Sequence, residues 1–309
     1  MKDLRDKVAF ITGGASGLGL AMAKAFGREG MKVMIADIEE QVLGRAVKEL
    51  NASQVRAEGV LCDVGDRNAV RNAALKTVST FGKVHVVCNN AGVAVGGPIG
   101  EVHERDWQWI VDVNLLGVVY GMETFVPLIE SHGEGGHFVN TASMAGMISP
   151  PNLEPYCATK FAVVAMSEGW NAQLAPKNIG VSVLCPGFVQ TRIHESERNK
   201  PTRYGSPATV HSALGTGREQ AAQMVASGIP VEPVGNRVVE AIKDNDLYIF
   251  THPELKPFVE MRFNAVLAAF DKSTQSKALS GLPKRDPLTM MQQMQDQQAA
   301  TAAAAAQRK

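Results

Sequence analysis

The sequence has no excess of charge of either sign. Among its 309 residues, 31 lysines and arginines balance 31 aspartates and glutamates, so the formal net charge is zero. A surface that binds nucleic acid needs clustered positive charge against the phosphates. Because no basic stripe appears along the chain, we expect no nucleic-acid partner.

Long hydrophobic runs are also missing. No apolar stretch approaches the roughly 20 residues that a membrane-spanning helix needs. The segment MKDLRDKVAF is charged and leads directly into a predicted strand, which is not the pattern of a secretion signal. We therefore expect no membrane association and a cytoplasmic location.

Cysteine is scarce, and its spacing matches neither a disulfide framework nor a zinc site. The four cysteines lie far apart, at Cys62, Cys88, Cys157 and Cys185, and form no C-x-x-C pair. Such frameworks and sites need closer, paired spacings. The histidines are scattered as well, so we expect free thiols in a reducing compartment and no metal.

What the sequence does contain is an alternation of short apolar runs with longer helical patterns. Continuous apolar runs are typical of parallel strands that are buried on both faces. The predicted strands are 7–12, 32–37, 58–64, 84–92, 136–143, 180–187 and 247–252. The predicted helices are 17–30, 40–51, 67–82, 104–130, 155–175, 233–244 and 254–271. The alternation predicts an α/β fold, a single doubly wound Rossmann-type parallel sheet with helices on both faces.

Two segments interrupt this rhythm. Residues 192–232 are rich in Gly, Pro, Ser and Thr, which is typical of a lid over a site and equally of a loose surface loop. The low-complexity end, MMQQMQDQQAATAAAAAQRK, predicts a frayed or disordered helix, with a partner-binding helix as the alternative. We expect one domain over 1–271, which includes the lid at about 192–232, and an extension over 272–309.

A glycine-rich turn, ITGGASGLGLA, follows the first predicted strand and opens the first helix. Gly13, Gly17 and Gly19 lack a Cβ, so a pyrophosphate can approach the backbone and the free N–H groups of the helix N-terminus. The T-G-x-x-x-G-x-G spacing differs from the common G-x-G-x-x-G fingerprint, but the strand–turn–helix context is the required one. The turn therefore predicts a dinucleotide site, with Ser16 and Leu18 among its contacts.

An acid at the end of the second strand favours NAD over NADP. Asp37 lies 18 residues after Gly19, where a carboxylate binds the adenosine ribose hydroxyls and repels a 2′-phosphate. Neither Ile38 nor Ser16 supplies a compensating cation. A solvated strand-end carboxylate is the alternative. Further cofactor contacts are expected after the third and fourth strands, at Asp63, Val64, Asn90, Ala91 and Gly92.

A tyrosine and a lysine stand four positions apart near the start of a predicted helix, in PYCATK (155–160). This spacing places Tyr156 and Lys160 on one helix face, and Pro155 suits the first turn. A lysine ammonium and an oxidised nicotinamide both favour the phenolate, so we expect a lowered tyrosine pKa. Tyr156 would then exchange a proton with an alcohol or ketone near neutral pH. Taken alone, such a pair is more often a solvated or packing pair.

Ser143 and Asn114 give that pair a context. Ser143 ends the fifth predicted strand, at the sheet edge that faces the ligand crevice. Its hydroxyl can hold a substrate oxygen and stabilise charge that develops there. Asn114 lies within a predicted helix, where asparagine is a mediocre former. It is expected either to hold a water that connects Lys160 to solvent or to serve as a packing amide.

Together these motifs resemble the short-chain dehydrogenase/reductase family. The residues that carry the resemblance are TGGASGLG (12–19), Asp37, CDV (62–64), NNAG (89–92), Asn114, Ser143, YCATK (156–160) and PGFVQT (186–191). They occur in the family's order and spacing over roughly residues 5–251, and the glycine pattern matches its compact branch. Ala142 stands where the family commonly has a serine, which leaves Ser143 in place.

The resemblance implies an enzyme with NAD as cofactor and reversible hydride transfer between a secondary alcohol and a ketone. It implies a catalytic tetrad of Asn114, Ser143, Tyr156 and Lys160. It also implies a homo-tetramer or homo-dimer in which the helices 104–130 and 155–175 pair between subunits. The alternative is a dinucleotide-sensing protein on the same fold that binds cofactor without turnover.

The resemblance also implies which residues hold the nicotinamide half of the cofactor. Lys160 would bind the nicotinamide ribose, and Thr191 would reach the carboxamide with help from the Val189 backbone. Pro186 and Gly187 complete the expected contacts.

The substrate is a small molecule whose pocket walls are expected to be largely apolar. They are predicted at Met144, Met147, the loop 149–155, Phe188 and the insertion after Thr191. A medium or bulky hydrophobic substrate follows, although the Met and Phe residues equally suit ordinary packing. Arg192 and His194 are either substrate contacts from the lid or solvated loop charges.

A narrower likeness concerns the substrate. The stretches RYGSPA and LYIFTHPE resemble the short-chain dehydrogenases that oxidise benzylic alcohols of lignin-derived aryl ethers. Steroid and acyl-chain substrates stay open. Sugars are least favoured, because the expected walls offer few polar groups.

Overall fold

The computed structural model describes residues 1–205, 218–283 and 286–306. Contacts divide it into two compact units between Val259 and Glu260, whereas the sequence pattern places the boundary after residue 271. Residues 206–217, in the middle of the predicted lid, lie outside the described residues, as do the last three residues of the low-complexity end.

Seven parallel strands form one sheet in the order β3-β2-β1-β4-β5-β6-β7. The strands are β1 (Val8–Thr12), β2 (Lys32–Asp37), β3 (Ala57–Leu61), β4 (Val86–Asn89), β5 (Gly136–Thr141), β6 (Ile179–Cys185) and β7 (Tyr248–Phe250). The strand order reverses direction between β1 and β4. In an open parallel sheet, that switch point opens the crevice where ligands bind, at the carboxyl ends of the strands. The predicted α/β fold class is confirmed.

Helices cover both faces of the sheet. Those of the first unit are α1 (Gly17–Arg28), α2 (Glu40–Ala52), α3 (Arg67–Phe81), α4 (Glu104–Val111), α5 (Gly117–His132), α6 (Glu154–Leu174), α7 (Arg218–Ala226) and α8 (Val231–Asp244). The helix α9 (Lys256–Thr274) crosses the boundary between the units, and α10 (Pro287–Ala306) belongs to the second. Of these, α7 was not expected, since it falls within the predicted lid.

The β-strand alternation supplies one core on each side of the sheet. In β1, Ala9 and Ile11 join the cluster formed with α1 and α8, and Phe10 joins the cluster on the other face. There its ring lies 4.5 Å from the ring of Phe125, on α5. Each such side chain contributes about 1.5–3 kcal/mol when fully buried. The two cores hold the strand ends of the crevice in fixed positions.

The predicted helix 104–130 is interrupted by one π-helical turn, Asp112–Leu116, between α4 and α5. Such turns insert one extra residue and often mark functional positions. The whole stretch Glu104–His132 is long and apolar enough to cross a membrane by length and composition, and 50% of its most apolar window is buried. Its buried side chains include Trp109, Phe125 and Ile129, so core packing accounts for the apolar character.

A polar clamp ties the amino ends of three strands together. The carboxylate of Glu134, before β5, pairs with Lys7 at 2.6 Å, with Lys83, and with Nε2 of His85 at 3.0 Å. His85 also accepts a hydrogen bond from the Val8 N–H at 3.1 Å. The ligand-forming atoms of His85, His132 and Glu134 lie within 4.8 Å of one another, a spacing that also suits a metal. Since the ring nitrogens already have hydrogen-bond partners, the group acts as a structural clamp.

Candidate active site

A cavity of about 670 Å³ opens at the carboxyl ends of the strands. One part is lined by the glycine-rich turn and the ends of β2, β3 and β4. The other part is lined by the turn after β5, the start of α6 and the loop after β6. The two parts are continuous, so one cavity accommodates a cofactor beside a substrate.

The glycine-rich turn has the geometry that a pyrophosphate requires. Gly13 and Gly17 adopt φ values of 60° and 51°, in the left-handed region that side chains disfavour. A Cβ on Gly19 would lie 2.1 Å from the carbonyl oxygen of Gly13, so only glycine lets the helix start pack on the turn. Gly17 and Leu18, the first residues of α1, line the cavity, so the helix N-terminus borders it and suits an anionic group.

Asp37 stands at the end of β2 with both carboxylate oxygens engaged. Oδ2 accepts from the Ala15 N–H at 3.0 Å, and Oδ1 accepts from the Glu39 N–H at 3.0 Å. Burial raises the pKa of this carboxyl, while these backbone hydrogen bonds act in the opposite direction. The side chain is only 8% exposed but lines the cavity, so it is held where ribose hydroxyls can donate to it.

The end of β4 is joined to the glycine-rich turn by Thr12. Its hydroxyl accepts from the N–H groups of Asn90 at 2.9 Å and Ala91 at 3.0 Å, and the Asn90 amide donates to the Thr12 carbonyl at 2.9 Å. These bonds replace the strand ladder, which explains why β4 ends at Asn89 and not at the predicted Gly92. Asn90, Ala91 and Gly92 consequently line the cavity.

Tyr156, Lys160 and Ser143 meet in the second part of the cavity. Tyr156 and Lys160 lie on the first turns of α6, with the Lys160 Nζ 5.5 Å from the centre of the tyrosine ring. Lys160 Nζ also donates to the Thr141 carbonyl at 2.8 Å. Ser143 directly precedes a 3₁₀ turn, Met144–Gly146, and its hydroxyl accepts from the Ala145 N–H at 3.1 Å. All three side chains line the cavity.

The pKa of Tyr156 moves in the direction opposite to the one expected from the sequence. Burial raises it to about 12, and the hydrogen bond with Ser143 only partly offsets that effect. Burial also lowers the pKa of Lys160 to about 8, and the charge interaction with Cys185 only partly offsets that effect. The sequence argument counted the charges near the phenol and left out the cost of desolvating them.

Asn114 is fully buried and does not line the cavity. It lies in the π-helical turn, and its amide forms a two-way bridge to Val93, with Oδ1 accepting from the N–H and Nδ2 donating to the carbonyl, both at 2.8 Å. Nδ2 also donates to Thr159 at 3.3 Å. The side chain thus fixes the backbone after β4 against α6. The proposed water between it and Lys160 stays a prediction.

The loop after β6 borders the part of the cavity where the sequence predicts the nicotinamide. Pro186, Gly187, Val189 and Thr191 line the cavity, and a Cβ on Gly17 would lie 3.3 Å from Cγ2 of Thr191. The loop therefore passes directly over the start of α1. Gln190 ties it to the segment after α7, since its amide donates to the carbonyls of Ala226 at 3.2 Å and Gly228 at 3.0 Å.

The first described part of the predicted lid contacts the wall where the sequence predicts the adenosine. Arg198 pairs with Glu39 at 3.1 Å, and Arg203 pairs with Asp63 at 2.6 Å. Asp63 was expected to touch the adenine. It lines the cavity, and the arginine already engages its carboxylate. Val64 lines the same wall.

Most predicted contacts line the cavity, and a few do not. Among the cavity-lining residues of the described chain are Ser16, Leu18, Ile38, Met144, Phe188 and Arg192. Gly19, Asn114, Met147 and His194 are not among them. Met147 packs instead against the core cluster that includes Ala142 and Val163, because the 3₁₀ turn points it away from the cavity.

Sequence reasoning missed several apolar walls. They come from distant parts of the chain, and the main ones are Trp109, Val113, Ile148, Leu255 and Phe258; Val225, by contrast, lies in the insertion that was expected to form a wall. Their amphipathic helical spacing predicts burial but not which cavity they face. The structure also brings a cation, Arg198, to the wall beside Asp37, and no local pattern around Asp37 indicated it.

The short chain dehydrogenase family model matches residues 7–202. The chain belongs to this family. A CLA biosynthesis dehydrogenase/reductase of Lactiplantibacillus plantarum is 35% identical over 272 residues, which cover 86% of this chain and 95% of that protein. A C alpha-dehydrogenase of Sphingobium sp. SYK-6 is 36% identical over 271 residues, which cover 86% of this chain and 87% of that protein.

A solved structure links this fold to the cofactor. A short chain dehydrogenase/reductase from Burkholderia phymatum in complex with NAD superposes with a TM-score of 0.83 and 36% identity, covering 92% of this chain and 100% of that one. The glycine-rich turn and Asp37 of this chain fit the same group, since the positive φ values and the engaged carboxylate leave room and acceptors for it. Both features of this chain are therefore compatible with NAD as the cofactor.

Proposed function

We propose that this protein is an NAD-dependent dehydrogenase that interconverts a secondary alcohol and a ketone on a medium or bulky hydrophobic or aromatic substrate. The observation that carries this proposal is the convergence of Ser143, Tyr156 and Lys160 in the cavity that the glycine-rich turn and Asp37 also line. A protein that only senses dinucleotides has no chemical need for that triad beside the cofactor wall.

The proposed roles follow from the positions of the side chains. NAD, when bound, supplies a hydride acceptor at C4 of the nicotinamide. Tyr156 takes the proton of the substrate hydroxyl, and Ser143 holds the oxygen and stabilises its charge. Lys160 lies near the tyrosine ring and favours the phenolate as long as the lysine is protonated. Asn114 holds the adjoining backbone and α6 in register.

The raised pKa of Tyr156 supports an order in which the cofactor binds before the substrate. In the free protein the phenol keeps its proton, since burial raises its pKa to about 12. A positive nicotinamide beside the ring favours the phenolate through space. We therefore propose that the base forms only in the complex with oxidised cofactor, which orders the binding steps.

The cavity walls support a hydrophobic substrate. Around the triad they are made mainly of Trp109, Val113, Met144, Ile148, Pro150, Leu153, Phe188, Val225, Leu255 and Phe258. Aromatic and aliphatic walls of this kind bind the apolar body of a ligand, and a few polar groups fix its orientation. Since one relative is a CLA biosynthesis dehydrogenase/reductase and another is a C alpha-dehydrogenase, acyl-chain and benzylic alcohols are the first classes to test.

The charges at the adenosine end support NAD rather than NADP as the working cofactor. Asp37 and Glu39 both lie on that wall. The Nε and Nη2 groups of Arg198 donate hydrogen bonds to the Glu39 carboxylate. The remaining nitrogen of Arg198, Nη1, donates to the Arg192 and Glu195 carbonyls. Because this guanidinium is already engaged by protein groups, it is poorly placed to neutralise a 2′-phosphate beside Asp37.

We further propose a cytoplasmic homo-tetramer or homo-dimer in which α4, α5 and α6 pair between subunits. The four cysteines are buried and free, which suits a reducing compartment. Light scattering of the purified chain measures the assembly, and a monomer at working concentrations would contradict it.

The test is NADH formation across benzylic, acyl-chain, steroid and short aliphatic secondary alcohols, run in parallel with NADP. The proposal expects turnover of at least one bulky apolar class, with NAD preferred to NADP. Binding of NAD without turnover of any alcohol, or of the matching ketones with NADH, would favour the sensor. A preference for NADP would contradict the role given to Asp37.

A further inference from the structure

We propose that His252 is a positioning residue that locks the nicotinamide-side loop and the turn of Ser143 in their reactive geometry. His252 follows β7 and is buried, at 9% exposed. Its ring lies against the loop after β6, where a Cβ on Gly187 would be 2.8 Å from its Cγ. Glycine at position 187 is therefore required by the ring itself.

Two hydrogen bonds fix the orientation and the tautomer of this ring. Nδ1 accepts from the Gly187 N–H at 3.2 Å, and Nε2 faces the Phe188 carbonyl at 3.0 Å. A carbonyl only accepts, so Nε2 carries the proton and Nδ1 is free to accept. The Thr251 hydroxyl lies 2.7 Å from Nδ1 and donates to it. The imidazole thus forms hydrogen bonds to backbone groups of two consecutive loop residues, Gly187 and Phe188.

The peptide unit between Pro186 and Gly187 is held at both of its polar ends. Its N–H donates to His252. Its carbonyl oxygen accepts from the Met144 N–H at 2.8 Å and from the Ser143 hydroxyl at 3.4 Å. One peptide plane therefore connects His252 to the turn that carries Ser143. If the N–H end were released, the plane could rotate and move the carbonyl away from that turn.

The same loop continues over the cofactor wall. Val189 pairs with Ile229, whose N–H donates to the Phe188 carbonyl at 3.0 Å, and Thr191 lies against Gly17. The loop is therefore held between the segment around Ile229 on one side and His252 on the other. Loss of the histidine would loosen the loop at its nicotinamide end and leave the adenosine wall, made by Asp37 and the glycine-rich turn, untouched.

The test compares two ligands by calorimetry, so that it does not depend on turnover. NAD reaches the loop, whereas ADP-ribose lacks the nicotinamide and occupies only the remaining wall. For His252→Ala, the expected result is NAD binding weakened about threefold to tenfold, the contribution of an ordinary hydrogen bond. ADP-ribose binding is expected to be unchanged. With any substrate that wild type turns over, kcat is expected to fall more than the substrate KM rises.

Two conservative variants separate the bonds. His252→Asn keeps an acceptor near the Nδ1 position but cannot reach Phe188, and His252→Gln places an amide donor near Nε2. Because the Gly187 bond locks the peptide plane, the Asn variant is expected to retain tighter NAD binding than Ala or Gln. His103→Asn is the matched control, since His103 caps α4 through the Arg105 N–H and asparagine caps helices equally well.

The inference rests on the proposed placement of the nicotinamide over this loop. Different results would contradict that placement and the role of His252. Wild type that binds ADP-ribose and NAD with the same affinity would overturn both. A second outcome would overturn the role of His252 alone. In it, wild type binds NAD more tightly than ADP-ribose, but the His252 variants lower the affinity for both ligands equally or for neither. If the Ala variant does not fold, the comparison of Asn with Gln decides the same point.

Discussion

At the scale of single residues, the candidate site combines side chains whose protonation is set by burial. Lys160 donates a hydrogen bond to the Thr141 carbonyl, and its pKa is lowered to about 8 because the ammonium is desolvated. Tyr156 is a phenol held protonated by the same effect. Such groups cost stability and are kept where function needs them.

Replacing Lys160 is expected to stabilise the cofactor-free protein while removing activity. The pKa falls from 10.5 to about 8, so the unfolded chain binds more protons between those values and the stability of the wild type rises with pH across that window. Lys160→Met removes the buried charge, and we expect a higher melting temperature at pH 7, from a gain of up to roughly 3 kcal/mol. The advantage should shrink as pH rises towards 10.5.

Thermal melts from pH 7 upwards, with NADH formation measured alongside, check this expectation. Lys48→Met is the matched control, because Lys48 is exposed on α2 and should give no pH-dependent difference. A Lys160→Met protein that melts lower than wild type at pH 7 would show that the charge is compensated in a way that the geometry does not reveal.

The sequence predicted these residues well where the chemistry is local. Tyr156 and Lys160 share one helix turn, and Ser143 ends a strand, so spacing alone brought them to the same edge of the sheet. The raised tyrosine pKa of the cofactor-free protein was not foreseen, since it depends on burial by residues far along the chain. His252 lies 65 positions after Gly187, and no spacing rule connects such a pair.

At the scale of helices and strands, the crevice lies at the carboxyl ends of the strands, and the clamp around Glu134 joins the amino ends of the same strands. The Glu134 carboxylate pairs with Lys7, Lys83 and His85, which lie in the segments that precede β1 and β4. These hydrogen bonds hold the pKa of the Glu134 carboxyl well below its usual range, with the Lys7 bond as the largest cause. A group whose pKa is depressed in the folded state contributes stability above its unfolded pKa and loses it on acidification.

Glu134→Gln is therefore expected to lower the melting temperature at neutral pH. The deficit should fade as pH falls below 4.5, where the unfolded carboxyl starts to protonate and the wild type loses the same contribution. The measurement is a set of melts between neutral and acidic pH. Glu49→Gln is the control, since Glu49 forms a surface pair with Lys24 and should change little. A Glu134 deficit that is constant with pH would contradict the clamp.

Among the helices and strands, the strands were the easiest to predict from the sequence. Seven apolar runs gave seven strands, because a parallel sheet buried on both faces leaves a continuous signal. The π-helical turn at Asp112–Leu116 was not predicted, since one inserted residue hardly disturbs a helical period. That turn carries Asn114, so the missed detail falls at a residue of the proposed catalytic tetrad.

At the scale of the whole molecule, the residues proposed to bind the cofactor and to act in catalysis all lie in the first unit. Those named here fall between Thr12 and His252, before the division at Val259. The second unit ends in α10, whose large apolar side chains Leu288, Met291 and Met294 are exposed. The sequence left a frayed helix and a partner-binding helix open for this segment, and the helical conformation by itself does not choose between them.

Deleting residues 288–309 is expected to leave NAD affinity and turnover unchanged. The reason is that the cavity has no lining residue beyond Phe258 among the described residues. Calorimetry with NAD and light scattering of the truncated chain check binding and assembly together. Loss of assembly with binding retained would indicate that the tail holds subunits or partners together, and loss of NAD binding would contradict the separation argued here.

The central claim is that Tyr156 supplies the proton transfer in an NAD-dependent dehydrogenase. The most direct measurement is single-turnover NADH formation by Tyr156→Phe and wild type, at equal and saturating NAD, with the best alcohol found. We expect the variant to bind NAD as wild type does and to lose at least about 100-fold in rate, since a positioned acid–base group contributes that much or more. A variant that binds NAD equally and forms NADH at the wild-type rate would show that Tyr156 is not the catalytic base.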